Sequence, residues 1–154
     1  MKAKSKKILF MLLLIGFGGI GYVTWLQLRP IVIVAVHEDR HFSDILVKNF
    51  PLTDKGKINW WLENKDMLKE KYGIPKPESD GSFTIVFWLF GDGYKETDGY
   101  DRLCFDDMKT KTNCIDKNRA FSVSNSKNMG ISFIAHNGIY RMRGSGDIIK
   151  DKDD

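Results

Sequence analysis

An uncharged, apolar run of 21 residues, from Ile8 to Leu28, constrains this chain more than any other feature. As an α-helix with a rise of about 1.5 Å per residue it would be roughly 31 Å long, which matches the hydrocarbon core of a bilayer. Tyr22 and Trp25 stand near one end, where aromatic side chains meet lipid headgroups, and Pro30 can end the helix. We therefore predict a transmembrane helix over residues 8–28, in contact with the lipid bilayer.

The basic residues around this run predict its orientation. Four lysines precede the run, within residues 1–7, and one arginine follows it. The positive-inside rule then places a basic tail, residues 1–7, in the cytoplasm and residues 30–150 in the periplasm of a Gram-negative bacterium. The alternative is a cleaved signal peptide with its cleavage site at Gly19–Gly21. Residues 151–154 are charged and are predicted to be a disordered tail.

The charge distribution argues against a nucleic-acid partner. The chain has a net charge of +4, but five of its 24 basic residues precede Ile31. The rest of the chain therefore carries 19 basic residues against 20 acidic ones, whereas nucleic-acid binders concentrate positive charge. We predict no nucleic-acid binding.

The remaining pattern predicts one main helix among strands. Ile31–Val36 is mostly β-branched, Asp44–Phe50 is a second strand candidate, and Ser82–Phe90 is a long apolar strand expected at the centre of a sheet. Between the second and third strands, a helix is predicted from a cap at Thr53 or Asp54 to Gly73. Its apolar stripe, expected in the core, consists of Ile58, Trp61, Leu62, Leu68 and Tyr72.

Short strands and turns fill the rest of the sequence, with Asn137–Gly138 as the clearest hairpin signal. We therefore predict an α+β fold: one N-terminal transmembrane helix followed by a small domain of antiparallel strands with one main helix.

The two cysteines, Cys104 and Cys114, are spaced as on opposite strands of a hairpin. In an oxidising periplasm this spacing favours a disulfide, which would stabilise the fold by roughly 2–3 kcal/mol. In a cytoplasmic domain the same residues would be buried thiols.

The segment His37–His41 reads HEDRH and matches the zincin motif H-E-x-x-H. That motif needs a helix through both histidines and a third ligand, but the residues before His37 favour a strand. The one other histidine, His136, stands beside the Asn137–Gly138 turn. We therefore interpret HEDRH as a solvated hairpin connection, and keep a zinc-dependent envelope hydrolase using His37, Glu38 and His41 as the alternative.

Five aspartates cluster around predicted turns and could hold calcium: Asp92, Asp98, Asp101, Asp106 and Asp107. They do not follow the calcium-loop pattern, so solvated turn carboxylates are the preferred interpretation. No phosphate-binding loop, dinucleotide fingerprint or nucleophile elbow is present in the sequence. We predict no catalytic residues, no metal and no cofactor.

Several segments resemble the enterobacterial putative inner-membrane protein family of unknown function. They are the lysine-led anchor ending in WLQLRP, then VAVH, LVKNFP, TDKGKINWWLENKDMLKEKYGIPKP and YDRLCFDDMKTKTNCIDKN. The resemblance covers nearly the whole chain and implies a short membrane protein with a single span. It implies no activity, catalytic residue or cofactor.

These features predict a non-enzymatic binding domain tethered at the periplasmic face of the inner membrane. A tether raises the effective concentration of a domain for partners at that surface. The partner we expect is a protein, and the specific hypothesis is an immunity protein against a toxin that crosses the envelope. A second alternative is an accessory subunit of a membrane complex.

Overall fold

The computed structural model describes residues 2–152, which form two compact units, one ending at Pro30 and the other beginning at Ile31. The first unit is helix α1, Lys2–Leu28, none of whose side chains is buried. In the described part of the chain, α1 alone is long and apolar enough to cross a membrane. The predicted helix is confirmed, but it begins at Lys2 and includes the lysines that were predicted as a tail.

Two contacts within this unit accommodate its polar side chains. The Thr24 hydroxyl donates a hydrogen bond of 2.8 Å to the Ile20 carbonyl, so it needs no partner outside the helix. The Arg29 guanidinium lies 3.6 Å from the ring centroid of Trp25. This places the cation against an aromatic face at the end of the apolar run.

The second unit is built on a seven-stranded sheet in the order β1-β2-β3-β6-β7-β8-β9, with β4 and β5 forming a separate pair. Its elements in chain order are β1 Val32–Asp39, β2 Phe42–Lys48, α2 Asp54–Tyr72, β3 Phe83–Leu89, β4 Arg102–Cys104, β5 Cys114–Asp116, β6 Arg119–Ser126, β7 Gly130–Ala135, β8 Gly138–Met142 and β9 Ile148–Lys150. The predicted α+β fold and the central position of β3 are confirmed.

One strand pair departs from the predicted antiparallel arrangement, since β2 and β3 run parallel. Helix α2 connects these strands and returns the chain to the end of the sheet where β2 began. A parallel neighbour requires such a crossover, whereas antiparallel strands need only a tight turn.

The ends of α2 form as the sequence predicts. The Thr53 hydroxyl accepts a hydrogen bond from the Gly56 N–H at 3.1 Å, and Gly73 closes the helix with a left-handed backbone at φ 69°. The inner face of α2 packs on one face of the sheet. This core contains Ile58, Trp61 and Leu68 from the helix and Phe87, Phe121 and Phe133 from the strands.

The opposite face of the sheet is covered in part by residues 90–118, which we call the β3–β6 connection. It contains the β4–β5 pair and contributes Phe105 and Ile115 to a second core cluster with Leu46.

Two boundaries differ from the predictions. Strand β1 continues through His37 to Asp39, so the hairpin turn is only Arg40 and His41. At the other end, the predicted disordered tail is partly held in place, because Asp151 donates its N–H to the Ile139 carbonyl and its carboxylate accepts a 2.6 Å hydrogen bond from Arg141. Residues 153 and 154 lie outside the described residues.

Candidate functional site

His37 is the centre of a polar cluster between the sheet and the β3–β6 connection. Its Nδ1 lies 2.8 Å and 2.9 Å from the two carboxylate oxygens of Asp107, and its Nε2 lies 2.8 Å from the Tyr94 hydroxyl. The imidazole stacks on Phe105 with ring centroids 3.8 Å apart. His37 is only 7% exposed, so the predicted solvated turn is wrong at this residue.

Strand geometry explains why His37 is buried. Successive side chains of a strand point to opposite faces, and β1 extends far enough for His37 to face the β3–β6 connection. A carboxylate only accepts hydrogen bonds, so Nδ1–H donates to Asp107, and Nε2 shares a hydrogen bond with the Tyr94 hydroxyl. Tyr94, Phe105 and Asp107 all belong to the β3–β6 connection, so one imidazole fixes that connection to the sheet.

Asp44 stands beside His37 on the neighbouring strand. The Trp88 indole N–H donates a hydrogen bond of 2.6 Å to its Oδ1. Burial raises the pKa of Asp44 above its ordinary value, and the Trp88 hydrogen bond and the field of His37 offset this only in part.

Both ring nitrogens of His37 have protein partners, Asp107 at Nδ1 and Tyr94 at Nε2, so the cluster joins β1 to the β3–β6 connection. Burial, together with the charge of Asp107, raises the pKa of Tyr94, so its hydroxyl is not an activated nucleophile.

The other residues of HEDRH have separate partners. Glu38 points to the opposite face of the strand from His37 and forms an ion pair with Lys76, and His41 pairs with Glu78 at 2.7 Å. His136 lies at the β7–β8 turn. Within residues 2–152, no three His, Cys, Asp or Glu side chains are grouped as a metal site would require. The structure therefore does not build the zincin motif from His37, Glu38 and His41.

Four of the five turn aspartates that could have held calcium each contact a basic side chain. Asp92 lies 3.5 Å from Lys95, Asp98 lies 2.6 Å from Arg102, Asp101 pairs with Lys117, and Asp107 contacts His37. Asp106 lines the pocket described below. These four aspartates act as members of ion pairs.

Asp116 links two of these pairs into a network. It accepts hydrogen bonds from Lys95 at 2.7 Å and from Arg102 at 3.2 Å. The two donors, Lys95 first, lower the pKa of Asp116, and the hydrogen bond from Arg102 lowers that of Asp98. Networks of this kind fix loop geometry more effectively than isolated surface pairs.

A disulfide also stabilises the β3–β6 connection. Cys104 and Cys114 face each other across β4 and β5 and are bonded in the structure, as the spacing predicted. Cys114 is fully buried, and Ile115 beside it belongs to the second core cluster. The disulfide therefore ties the exposed Cys104 of β4 to a strand that is anchored in the core.

Between His37 and this connection lies a pocket of about 330 Å³. Five acidic residues contribute to its lining, Glu38, Asp39, Asp44, Asp106 and Asp107, although the Glu38 carboxylate itself pairs with Lys76. Such a concentration of negative charge suits a basic group on a binding partner.

The chain matches the family model described as Enterobacterial putative membrane protein (DUF943) over residues 2–152. It belongs to this family. The membership confirms the resemblance seen in the sequence and is consistent with α1 as a membrane span. Searches of curated proteins and of solved structures found no match.

The sequence of this DUF943 protein gave no signal for the partners of His37. Tyr94 and Asp107 are 57 and 70 residues away along the chain, and neither belongs to a recognisable motif.

Lys57 was also missed, although the sequence contains a signal for it. Lys57 precedes Trp61 by four residues, so helical periodicity places it on the buried side of α2, where it lines another pocket.

Proposed function

We propose that this protein is a membrane-anchored, non-enzymatic binding protein that holds a protein partner at the periplasmic face of the inner membrane. In this proposal α1 is an uncleaved signal anchor with its N-terminus in the cytoplasm. The partner docks on the β3–β6 connection. The observation that carries the proposal is the rigid attachment of this long surface segment to the sheet.

Rigid attachment favours binding because little conformational freedom is lost when a partner docks. His37 holds the middle of the connection, the Cys104–Cys114 disulfide joins its two strands, and the Asp116 network fixes its outer turns. Functional loops commonly sit on rigid scaffolds in this way.

The exposed part of the connection has the composition of an interaction surface. Tyr100 is 75% exposed, and the Arg102 guanidinium lies 5.6 Å from its ring centroid. Tyrosine and arginine are the residues most often found at the energetic centres of interfaces. Tyr100 is therefore the residue we expect a partner to cover.

Charge supports a basic partner. Residues 92–107 contain six acidic and two basic residues, and five acidic residues contribute to the lining of the pocket beside His37. Opposite charge on a partner would speed association and disfavour acidic competitors.

The partner we favour is a toxin crossing the envelope, with this chain acting as its immunity protein. A small tethered domain intercepts such a protein efficiently because both are confined to one surface. The competing assignment, an accessory subunit of a membrane complex, predicts instead that the partner is a resident membrane protein.

Photo-cross-linking in cells tests the proposal. A photoreactive amino acid is placed at position 100 or, as control, at position 129, where Met129 is also exposed on the β6–β7 turn. We expect a protein adduct from position 100 that is absent from position 129. Equal adducts from the two positions, or no adduct from position 100, would contradict the proposal.

The identity of the adduct then decides between the two partners. A secreted or imported protein, together with survival of toxin-exposed cells only when this chain is present, supports the immunity function. A resident membrane protein supports the accessory-subunit assignment.

A further inference from the structure

A second pocket, of about 460 Å³, lies at the end of the sheet beside the N-terminus of α2. Its walls come from the segments that follow β2 and β7, the last residue of β3 and the start of β6. Phe50, Leu52, Leu89 and Ala135 make much of the lining apolar. The volume falls within the range of small-molecule sites.

The ionisable residues in the lining of this pocket are Lys57, Arg119 and His136, and no carboxylate belongs to its described lining. Arg119 and His136 are exposed, whereas Lys57 is only 7% exposed. The pocket therefore combines apolar walls with positive charge, in a domain whose overall charge is close to neutral.

Lys57 has no hydrogen bond or ion pair from its ammonium group to any other residue within 2–152. The nearest acid along the helix is Asp54, whose Oδ2 accepts hydrogen bonds from the Asn137 N–H at 3.0 Å and the Tyr140 hydroxyl at 2.8 Å. The positive charge of Lys57 contributes to the low pKa of Asp54 without a direct contact.

Most of the Lys57 side chain is buried, but its Nζ is not among the buried side-chain nitrogen and oxygen atoms of residues 2–152 that lack a partner, so the ammonium group reaches solvent. A lysine in this situation extends its charge toward the nearest solvent-filled space, which here is the pocket that it lines. The unused hydrogen-bonding capacity of Lys57 is therefore available to a ligand in that space.

We propose that this pocket binds a small organic carboxylate carried on an apolar group. The carboxylate would accept hydrogen bonds from Lys57, with Arg119 at the rim, and the apolar group would lie against Phe50 and Leu89. A phosphate fits less well, because a doubly charged anion needs more donors than one buried lysine supplies.

Calorimetric titration of the full chain in zwitterionic nanodiscs tests this proposal. N-acetylleucine is the probe, and N-acetylleucinamide, which has the same apolar group without the charge, is the matched control. Hexanoate and hexanamide form a second pair. We expect saturable binding of one or both carboxylates and on the order of tenfold weaker binding of the corresponding amide.

Variants locate the site. Lys57→Met keeps the apolar stem and removes the charge, and we expect it to weaken carboxylate binding on the order of tenfold or more. Lys55→Met is the matched control, because it makes the same change on an exposed lysine of the same helix. This variant should bind the carboxylates as tightly as the parent does. If Lys57→Met does not fold, Arg119→Gln is decisive, since it changes an exposed residue at the rim and should weaken binding several-fold.

The proposal is overturned if no carboxylate binds, if the amides bind equally well, or if the pocket variants bind like the parent. Preference for N-acetylleucine would indicate a peptide C-terminus as the natural source of the carboxylate. Preference for hexanoate would indicate a fatty acyl chain.

Discussion

The ring of Phe105 stacks on the imidazole of His37, with centroids 3.8 Å apart and an angle of 11° between the planes. These two residues come from β1 and from the β3–β6 connection, and they meet beneath the strands joined by the disulfide. The contact joins a buried polar group to the core cluster that includes Leu46 and Ile115. His37 is thus a structural support for the surface that we propose binds the partner.

Substitution His37→Ala should destabilise the domain by about 2–4 kcal/mol, because it opens a cavity against Phe105 and leaves Asp107 and Tyr94 without their shared partner. The matched control is His41→Ala, which removes a partly exposed pair with Glu78 and should cost less than about 1 kcal/mol. Urea unfolding of the full chain in micelles measures both. Similar costs for the two histidines would contradict the structural role of His37.

Replacement of both cysteines by alanine should lower the free energy of unfolding by roughly 3 kcal/mol, since the disulfide closes a short loop in the unfolded chain. Proteolysis within the β3–β6 connection should become faster. Reductant should produce the same change in the parent protein and none in the double variant. A parent whose unfolding is insensitive to reductant would show that the two thiols are not paired.

Substitution Asp44→Asn should stabilise the domain near about pH 7. The pKa of Asp44 is raised above 3.8 in the folded state, so folding favours its protonated form. The cost of the carboxylate therefore appears as the pH rises above 3.8 and is complete once the pH exceeds the raised folded-state pKa. Asparagine removes this cost and can still accept the Trp88 hydrogen bond. Near about pH 3, where the parent residue is protonated, we expect the gain to vanish.

The measurement for Asp44 is a pair of thermal unfolding profiles, parent and variant, across this pH range. Asp44→Ala serves as control, because it also removes the charge but loses the acceptor for Trp88. A stabilisation by Asp44→Asn that does not depend on pH would show that the carboxylate is not its origin.

Substitution Tyr140→Phe should destabilise the domain by about 1–2 kcal/mol near about pH 7, because it removes a hydroxyl donor to a buried carboxylate. Burial acts to raise the pKa of Asp54, but the hydrogen bonds from Tyr140 and the Asn137 N–H, together with Lys57, outweigh it and hold the pKa below 3.8. The stability that Asp54 contributes is therefore present above pH 3.8, and it is lost as the pH falls through the lower pKa that Asp54 has in the folded state.

The difference in the free energy of unfolding between Tyr140→Phe and the parent should accordingly shrink as the pH falls below the folded-state pKa of Asp54. Urea unfolding at several pH values measures it. Tyr72→Phe is a control on a partly buried tyrosine of α2 that makes no contact with Asp54. A cost at Tyr140 that stays constant down to the lowest pH would exclude linkage to Asp54.

Alkaline phosphatase fused after the C-terminus should be active and should sediment with membranes, because the enzyme needs the disulfides that form in the periplasm. Soluble periplasmic activity would instead indicate cleavage near Gly21. An inactive but well-expressed fusion would place the domain in the cytoplasm, and the proposed envelope partner would then be wrong.

Local features of this protein could be predicted from its sequence because each depends on neighbouring residues. The apolar run fixes a helix long enough to span a bilayer, and Thr53 and Gly73 fix the ends of α2. The stripe of Ile58, Trp61 and Leu68 identifies the buried face of that helix. The cysteine spacing predicts the pair, since both residues belong to one short hairpin.

Two features depended on contacts between distant segments. The parallel pairing of β2 with β3 follows from where α2 returns the chain, and no single segment encodes it. His37 resembled a turn residue within a metalloprotease motif because its partners lie 57 and 70 residues further along.

The sequence by itself therefore determined the apolar helix long enough to span a membrane, the α+β composition and the capped helix, since hydrophobic periodicity and backbone preferences act over a few residues. Only the tertiary structure decided that His37 is a buried support, that four of the five turn aspartates contact basic side chains and that Lys57 lines a pocket. Burial and charge pairing are properties of residues brought together by the fold, and their sequence separation carries no local signal.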